Sequence, residues 1–127
     1  MKTVEIGRLG EDIAAKYLKK NGYRILEKNL HVSHNEIDLI VKNKEFLVFV
    51  EVKTRSTDET LFSDFGTPAS AVDYGKRKRL VAAARGYIHS GDFSKLQPRF
   101  DVVEVYINKT DSKLLKINHI INAFGAK

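Results

Sequence analysis

Residues 46–54 read Phe46-Leu47-Val48-Phe49-Val50-Glu51-Val52-Lys53-Thr54. The continuous apolar run at its start is typical of a β-strand in the middle of a sheet that is covered on both faces. Successive strand residues point to opposite faces, so Glu51 and Lys53 share one face while Val50 and Val52 take the other. A carboxylate and an ammonium at the end of such a strand cost desolvation energy, and they are rare there unless they are paired or used. This strand therefore predicts the centre of the sheet and a functional site at one end of it.

The segments around this strand alternate between strand and helix patterns. Five strands are predicted, by alternating or continuous apolar residues: 23–32, 37–41, 46–54, 99–107 and 114–121. A first helix is predicted from about residue 4 to residue 20, where Asn21-Gly22 ends it. We expect a polar loop over residues 56–66, and a second helix that begins at Thr67-Pro68 and continues to about residue 88.

The chain has 127 residues, so residues 1–127 are expected to form a single domain. The order α-β-β-β-α-β, with a last strand after it, predicts an α/β fold in which an N-terminal helix precedes a central sheet flanked by helices.

Lys and Arg outnumber Asp and Glu by 22 to 16, which gives a formal net charge of +6. Such an excess favours a polyanionic partner such as nucleic acid, although basic residues can also simply keep a small domain soluble.

Composition excludes several other classes of site. The chain has no cysteine, which excludes disulfides, thiolate metal sites and thiol catalysis. Its four histidines show no ligand spacing, so a zinc site is not expected. The longest apolar run, residues 46–50, is too short to cross a bilayer, and the start of the chain has no apolar signal core. We therefore expect a cytoplasmic protein without membrane association.

A second acid is predicted to lie near Glu51. If the second and third strands form a hairpin around Asn43-Lys44, Asp38 approaches Glu51 near its open end. Two facing carboxylates repel each other, and Mg²⁺ or Mn²⁺ would relieve this because these ions take oxygen ligands. Such an ion polarises a phosphate and lowers the pKa of a bound water, which Lys53 could orient. We interpret Asp38, Glu51 and Lys53 as a nuclease-type metal site; the alternative is a structural salt bridge at a sheet end.

Glu11 is the candidate for a fourth acid at this site. Helical geometry places it at the border of the buried face of the first helix, whereas Glu5, Asp12 and Lys16 fall on the solvent side. From that border a carboxylate can reach the sheet directly or through water. Taken alone, the position of Glu11 favours an ordinary acid at the edge of an amphipathic helix over a role in the site.

Basic residues are predicted to contact a nucleic-acid backbone. Residues 76–79 are consecutive Lys and Arg on the second helix, and two or three of them can face one ligand. We assign Lys76, Arg77 and Arg79 to phosphate contacts, which position a backbone without reading its sequence. Arg55, just past the central strand, is expected to contact a phosphate near the scissile one. The alternative for each is a solvated basic face.

Asp38, Glu51 and Lys53 resemble the PD-(D/E)XK motif of the restriction-endonuclease-like superfamily, here as Asp–X12–Glu–X–Lys without the leading proline. More closely, the chain is similar to the YraN-like family of small endonucleases. The matching segments cover nearly the whole chain: Gly7-X-X-Gly10-Glu11-X-X-Ala14, Leu18, Gly22-Tyr23-X-Ile25-Leu26-X-X-Asn29, Glu36-Ile37-Asp38-Leu39-Ile40, Phe49-Val50-Glu51-Val52-Lys53-Thr54-Arg55, Phe65-Gly66, Arg99-Phe100-Asp101-Val102-Val103 and Asn122-Ala123-Phe124. One departure is Asn35, where the family usually has glycine; Asn also tolerates the left-handed region, so we expect the turn to be kept.

The resemblance implies a restriction-endonuclease-like core similar to that of archaeal Holliday-junction resolvases, with a helix followed by a mixed sheet. In those enzymes a glutamate of the first helix joins the Asp, Glu and Lys, which assigns Glu11 to the metal site with Asp38 and Glu51. The implied activity is metal-dependent hydrolysis of DNA, branched or otherwise structured DNA in particular. Two alternatives stay open, a ribonuclease and a non-catalytic nucleic-acid-binding module that keeps the fold. By the same analogy we expect a homodimer.

Overall fold

The computed structural model describes residues 3–57 and 73–125, and within these segments the chain forms two helices and one five-stranded sheet. The elements follow the chain as α1 (Thr3–Lys20), β1 (Arg24–Val32), β2 (Asn35–Lys42), β3 (Phe46–Thr57), α2 (Tyr74–His89), β4 (Gln97–Asn108) and β5 (Leu114–Phe124). This order confirms the predicted α/β class, with a sheet flanked by helices. Neither of the two helices is both long enough and apolar enough to cross a membrane.

The strands lie in the order β1-β2-β3-β4-β5, so β3 is the central strand. Neighbouring strands are antiparallel except β3 and β4, which are parallel and make the sheet mixed. A parallel pair needs a crossover, and α2 lies in the connection that provides it. Residues 47–50 of β3 are each at most 2% exposed, as expected for a strand covered on both faces.

The two faces of the sheet carry separate apolar cores, one under each helix. Val48 and Val50 of β3 pack in the core that contains the buried face of α1. Leu47 and Phe49 pack in the core that contains the buried face of α2. The alternation of the strand therefore supplies both cores at once, which is why its sequence is apolar at successive positions.

The hairpin of β2 and β3 forms as predicted around Asn43, whose side-chain oxygen accepts the backbone N–H groups of Glu45 and Phe46 at 2.9 and 2.8 Å. The turn before Asn35 is kept, as predicted. Asn35 itself is the first residue of β2, and the positive φ of the turn, 57°, belongs to Ser33.

The end of β3 corrects the predicted start of the polar loop. Ser56 and Thr57 belong to the strand because β4 offers them the parallel partners Ile107 and Asn108. The remainder of the predicted loop and the helix start at Thr67-Pro68 lie outside the described residues. In the described part, α2 begins at Tyr74 with Asp73 as its N-cap.

Helix α1 lies very close to the sheet at Gly10. A Cβ built on Gly10 would lie 1.9 Å from Oγ1 of Thr54 on β3, so the helix reaches this depth only because residue 10 has no side chain. The next residue, Glu11, is half-buried and is thereby held over the end of β3 and its neighbour. Gly10 thus determines how closely Glu11 approaches the sheet.

We expect Gly10→Ala to lower the free energy of unfolding by about 1–3 kcal/mol, because an added methyl in a close contact forces the helix outward. Gly7→Ala is the matched control on the same helix, where an added Cβ meets no atom within 4 Å. It should leave stability unchanged or raise it by up to about 1 kcal/mol. Urea unfolding of both variants measures the difference, and equal midpoints would contradict the close approach.

A buried polar network joins α1 to the last two strands. Asp101 is 0% exposed and accepts two hydrogen bonds from the Arg99 guanidinium, at 2.9 and 2.8 Å, and one from the backbone N–H of Asn122 at 3.0 Å. His119 Nε2 lies 2.7 Å from Asp101, and its Nδ1 lies 3.1 Å from the hydroxyl of Tyr17 on α1. Burial raises the pKa of Asp101, but the hydrogen bonds from His119, Arg99 and Asn122 outweigh it and lower that pKa below its ordinary value.

The lowered pKa of Asp101 predicts a pH-dependent contribution to stability. The stabilisation by its ionised form is fully present above the unfolded pKa of about 3.9 and is lost as pH falls through the lower folded-state pKa. Asp101→Asn should therefore cost about 3 kcal/mol near pH 7, since it leaves Arg99 without its buried partner. The gap between the two proteins in urea unfolding should shrink near pH 3. A gap that does not change with pH would overturn this account.

Candidate active site

The candidate site lies where β2 and β3 stop pairing. The last registered pair of their ladder is Leu39 with Val50. Beyond it, the backbone N–H of Val52 donates to Oδ2 of Asp38 at 2.8 Å. A side chain thus replaces a strand carbonyl as the partner of that N–H, and the Asp38 carboxylate is held against β3 beside Glu51.

Glu51 is 4% exposed and is neutralised by two lysines. Its Oε1 lies 3.7 Å from Nζ of Lys53 on the same strand and in direct contact with Nζ of Lys76 from α2. Burial lowers the pKa of Lys76, but the hydrogen bond to Glu51 and the charges of Glu51 and Asp38 raise it above its ordinary value. Lys76 therefore carries a full positive charge against the buried carboxylate.

Three carboxylates converge beside this pair. Glu11 of α1 and Glu36 and Asp38 of β2 each have an oxygen within 4.8 Å of the other two. Burial, together with the charges of Glu51 and Glu11, raises the pKa of Asp38 to about 7. Burial, and then the charge of Glu36, raises the pKa of Glu11. Burial is the larger cause of both pKa shifts, and the charges of neighbouring carboxylates add to it; a hard divalent cation stabilises such a group of acids.

Asp38 and Glu51 line two open clefts, one beside each helix. The cleft beside α2 has a volume of about 240 Å³, and Lys76 and Arg79 form its basic wall. The cleft beside α1 has a volume of about 300 Å³ and contains Glu11. The acids therefore lie at a junction that solvent reaches from both sides of the sheet.

The chain matches the model of a family described as "Uncharacterised protein family UPF0102" over residues 10–105. It belongs to this family. A UPF0102 protein of Caldanaerobacter subterraneus subsp. tengcongensis is 50% identical over 119 residues, which cover 94% of this chain and 93% of the relative. A UPF0102 protein of Clostridioides difficile is 40% identical over 124 residues, which cover 98% of this chain and 100% of the relative. The prediction from the sequence that the chain belongs to the YraN-like family is confirmed, as far as family membership is concerned.

Among solved structures, an XisH family protein from Nostoc punctiforme is similar with a TM-score of 0.39 and 11% identity. The match covers 85% of this UPF0102 chain and 97% of the XisH chain.

The four residues predicted as catalytic lie at one end of the sheet, as Glu11 and Asp38 share one cluster and Glu51 and Lys53 form an adjacent pair. Of the predicted metal set, Glu11 and Asp38 belong to a cluster of acids whose third described member is Glu36. Glu51, the other predicted ligand, has its Oε1 against Lys53 and Lys76. The signal for Glu36 was present in the sequence, since it lies two positions before Asp38 in the same strand.

The basic residues of α2 separate into different roles. Lys76, predicted as a phosphate contact, has its ammonium on Glu51. Arg79 is exposed and lines the same cleft. The guanidinium of Arg77 lies 5.7 Å from the ring centroid of Phe124 at the end of β5, and Arg77 lines neither of the two clefts. The helical turn of four cations therefore presents Arg79, rather than all of its members, to a ligand in the cleft.

Arg55 lies two residues beyond Lys53 on the same face of β3 and is anchored by a buried acid. Its Nη2 lies 3.4 Å from Oε2 of Glu104, which is 1% exposed, while the Arg55 side chain is 40% exposed. The Tyr106 hydroxyl and the Asn118 amide donate to the other oxygen of Glu104 at 2.8 and 3.3 Å. The guanidinium is thus fixed at its inner edge and open to solvent at its outer edge.

Removing one charge from the acid cluster should stabilise the metal-free protein. Asp38→Asn keeps an oxygen that can accept the N–H of Val52, but it removes the repulsion with Glu51 and Glu11. In the presence of a chelator we expect the free energy of unfolding to rise by about 1 kcal/mol or more, measured by urea unfolding. Asp12→Asn, an exposed acid on α1, should change it by less than about 0.5 kcal/mol. A lower stability for Asp38→Asn would show that the acids do not repel one another.

Proposed function

We propose that this protein is a metal-dependent nuclease that hydrolyses phosphodiester bonds of DNA, branched or otherwise structured DNA in particular. The proposal rests on the convergence of three carboxylates, those of Glu11, Glu36 and Asp38. They lie beside the ion pair of Glu51 and Lys53, and two of them line a cleft that is also lined by basic residues. Acids alone would repel a phosphate, and cations alone could not activate water. The combination suits phosphoryl transfer, in which positioning and charge stabilisation supply most of the catalysis.

Mg²⁺ or Mn²⁺ is the proposed cofactor, and the donors present fit it. Glu11, Glu36 and Asp38 offer carboxylate oxygens within 4.8 Å of one another, and burial together with the charges of Glu51 and Glu11 raises the pKa of Asp38. When bound, such an ion polarises a phosphate and lowers the pKa of a coordinated water. Hard oxygen donors without nitrogen or sulfur favour Mg²⁺ and Mn²⁺ over zinc.

Lys53 is assigned to the reacting phosphate. Its side chain is 24% exposed, and its ammonium stands 3.7 Å from Oε1 of Glu51, a residue that lines both clefts. A compact ammonium suits the extra negative charge that develops on the phosphoryl oxygens, and it can orient the attacking water. Glu51 holds the lysine in place and balances its charge while the cleft is empty of substrate.

Arg79 and Arg55 are assigned to phosphates on either side of the reacting one. Arg79 of α2 is exposed and lines the cleft with the acids, and Arg55 of β3 is half-buried and lies two residues beyond Lys53. Charged contacts of this kind position a nucleic-acid backbone and do not read its sequence. The choice of DNA follows from the resemblance to junction resolvases, and a ribonuclease would use the same phosphate contacts. Since a four-way junction is resolved by cutting two strands, we propose a homodimer as the acting form.

The proposal is tested with pure protein incubated with four-way junction, single-stranded and linear duplex DNA, with Mg²⁺ or Mn²⁺ and with a chelator. We expect cleavage that requires the metal and falls at least about 100-fold in Glu51→Gln and in Asp38→Ala, while both variants still bind DNA in gel shifts. Glu45→Gln is the matched control, because Glu45 is an exposed acid just before β3 and outside both clefts.

Equal cleavage by wild type, Glu51→Gln and Asp38→Ala would overturn the assignment of the site. Intact DNA that is nevertheless retained in gel shifts, with every metal and substrate, would favour a non-catalytic binding module. Cleavage of RNA of the same structure, with DNA left intact, would identify a ribonuclease.

A further inference from the structure

Lys76 is a second lysine at the candidate site, and it comes from a different element than the lysine of the Glu-X-Lys motif. We propose that Lys76 is the internal counter-ion of Glu51: its ammonium neutralises this carboxylate in the metal-free protein and competes with a divalent cation for the site. The inference rests on the metal centre proposed above and adds a residue that sets its affinity.

The first argument is the burial of Glu51. A carboxylate that is 4% exposed needs a close partner to offset its lost hydration. Lys53 stands at 3.7 Å, beyond the roughly 2.7–2.9 Å of a charge-assisted hydrogen bond. Lys76 is in direct hydrogen-bonding contact. Lys76 is therefore the principal partner of Glu51, although Lys53 is its neighbour in the motif.

The second argument is the position of Lys76 in α2. Its backbone N–H donates to the N-cap Asp73 at 2.8 Å, so Lys76 lies in the first turn of the helix. Positive charge is disfavoured there, because the helix dipole also presents positive charge at its N-terminus. An ammonium at this place is stabilised only if an acid faces it, and Glu51 is that acid. Its backbone is fixed by the cap, while its long flexible stem leaves the ammonium free to move.

The third argument is the charge balance around the cluster. Glu11, Glu36 and Asp38 attract a divalent cation, whereas the ammonium of Lys76 repels it at short range. The ammonium of Lys76 lies on Oε1 of Glu51, so a metal ion that uses this oxygen must displace it. The side chain of Lys76 is 36% exposed and lines the cleft beside α2, so it can withdraw into solvent when the ion binds.

The test is the affinity for Mn²⁺ alone, measured by calorimetry on the full chain. Lys76→Met should bind Mn²⁺ about tenfold more tightly than wild type, because the competing charge is gone. Lys78→Met is the matched control: it removes the same charge from the same helix, but Lys78 is exposed, stands over the ring of Tyr74 and lies outside the cleft. It should bind within about twofold of wild type. Unchanged or weaker binding by Lys76→Met would overturn the inference.

Two further measurements keep the result interpretable if Lys76→Met is less stable than wild type. Lys76→Met leaves Glu51 with Lys53 alone, so its metal-free form should melt lower, and saturating Mn²⁺ should raise its melting temperature by more than that of wild type. In a Glu51→Gln background, Lys76→Met should no longer tighten Mn²⁺ binding by the same factor, because the counter-ion acts through Glu51. An equal tightening of Mn²⁺ binding by Lys76→Met in both backgrounds would contradict the role of Lys76 as the counter-ion of Glu51.

The results separate this inference from the proposed function. If wild type and Lys76→Met bind Mn²⁺ equally, the counter-ion role fails and the metal centre stands. If neither binds Mn²⁺, the metal centre of the proposed function fails and the counter-ion role fails with it. If only Lys76→Met binds, Lys76 blocks the site in the free protein and the inference is supported in its strongest form.

Discussion

The hydrogen bond from the backbone of Val52 to the carboxylate of Asp38, at 2.8 Å, lies at the point where the central hairpin of the sheet opens. The N–H of a strand next to the core must have a partner, and here a side chain provides it in place of the neighbouring strand. Because the ladder of β2 and β3 can end there, the two strands separate and clefts form on both sides. The acids, the lysines and the exposed arginines are all arranged around that opening.

The opening is stable because its charges are balanced by residues from distant parts of the chain. Glu51 is neutralised by Lys53 and by Lys76 of α2, and Arg55 is held by the buried Glu104 of β4. Removing one member of such a pair leaves a charge without its partner in a poorly hydrated place, which costs more than an exposed ion pair contributes. Helix α2 is therefore coupled to the sheet through the site itself as well as through its apolar core.

The fold class could be predicted from local sequence rules, because consecutive residues of β3 carry the pattern that identifies it as a central strand. Its continuous apolar run places it at the centre, and alternation puts Glu51 and Lys53 on one face. The end of β3 was not predictable in this way, since Ser56 and Thr57 become strand residues through partners in β4 about 50 positions later. The same holds for Gly10, whose importance depends on its distance from Thr54.

The candidate site was predictable in part for the same reason. Asp38 and Glu51 belong to one hairpin, so their approach follows from its register, whereas the contact between Lys76 and Glu51 joins a helix to a strand. From the charge pattern of α2, Lys76 was predicted to contact an external ligand. In the structure, tertiary packing places its ammonium against Glu51 of the same protein. Tertiary contacts of this kind change a residue's role without leaving a trace in local sequence.

The two clefts differ in the charge of their described walls, and this gives the sheet opening a direction. Lys76 and Arg79 border the cleft beside α2, while Ile6, Val52 and Thr54 border the cleft beside α1. Among the described lining residues, lysine and arginine occur in the first cleft alone, so in the proposed reaction a polyanion would meet its cations there, whereas water can reach the acids through both clefts. Displacement at phosphorus proceeds in line, with the incoming and departing oxygens on opposite sides. Under the proposed function, the two clefts would therefore give separate access to a bulky charged chain and to the small neutral molecule that attacks it.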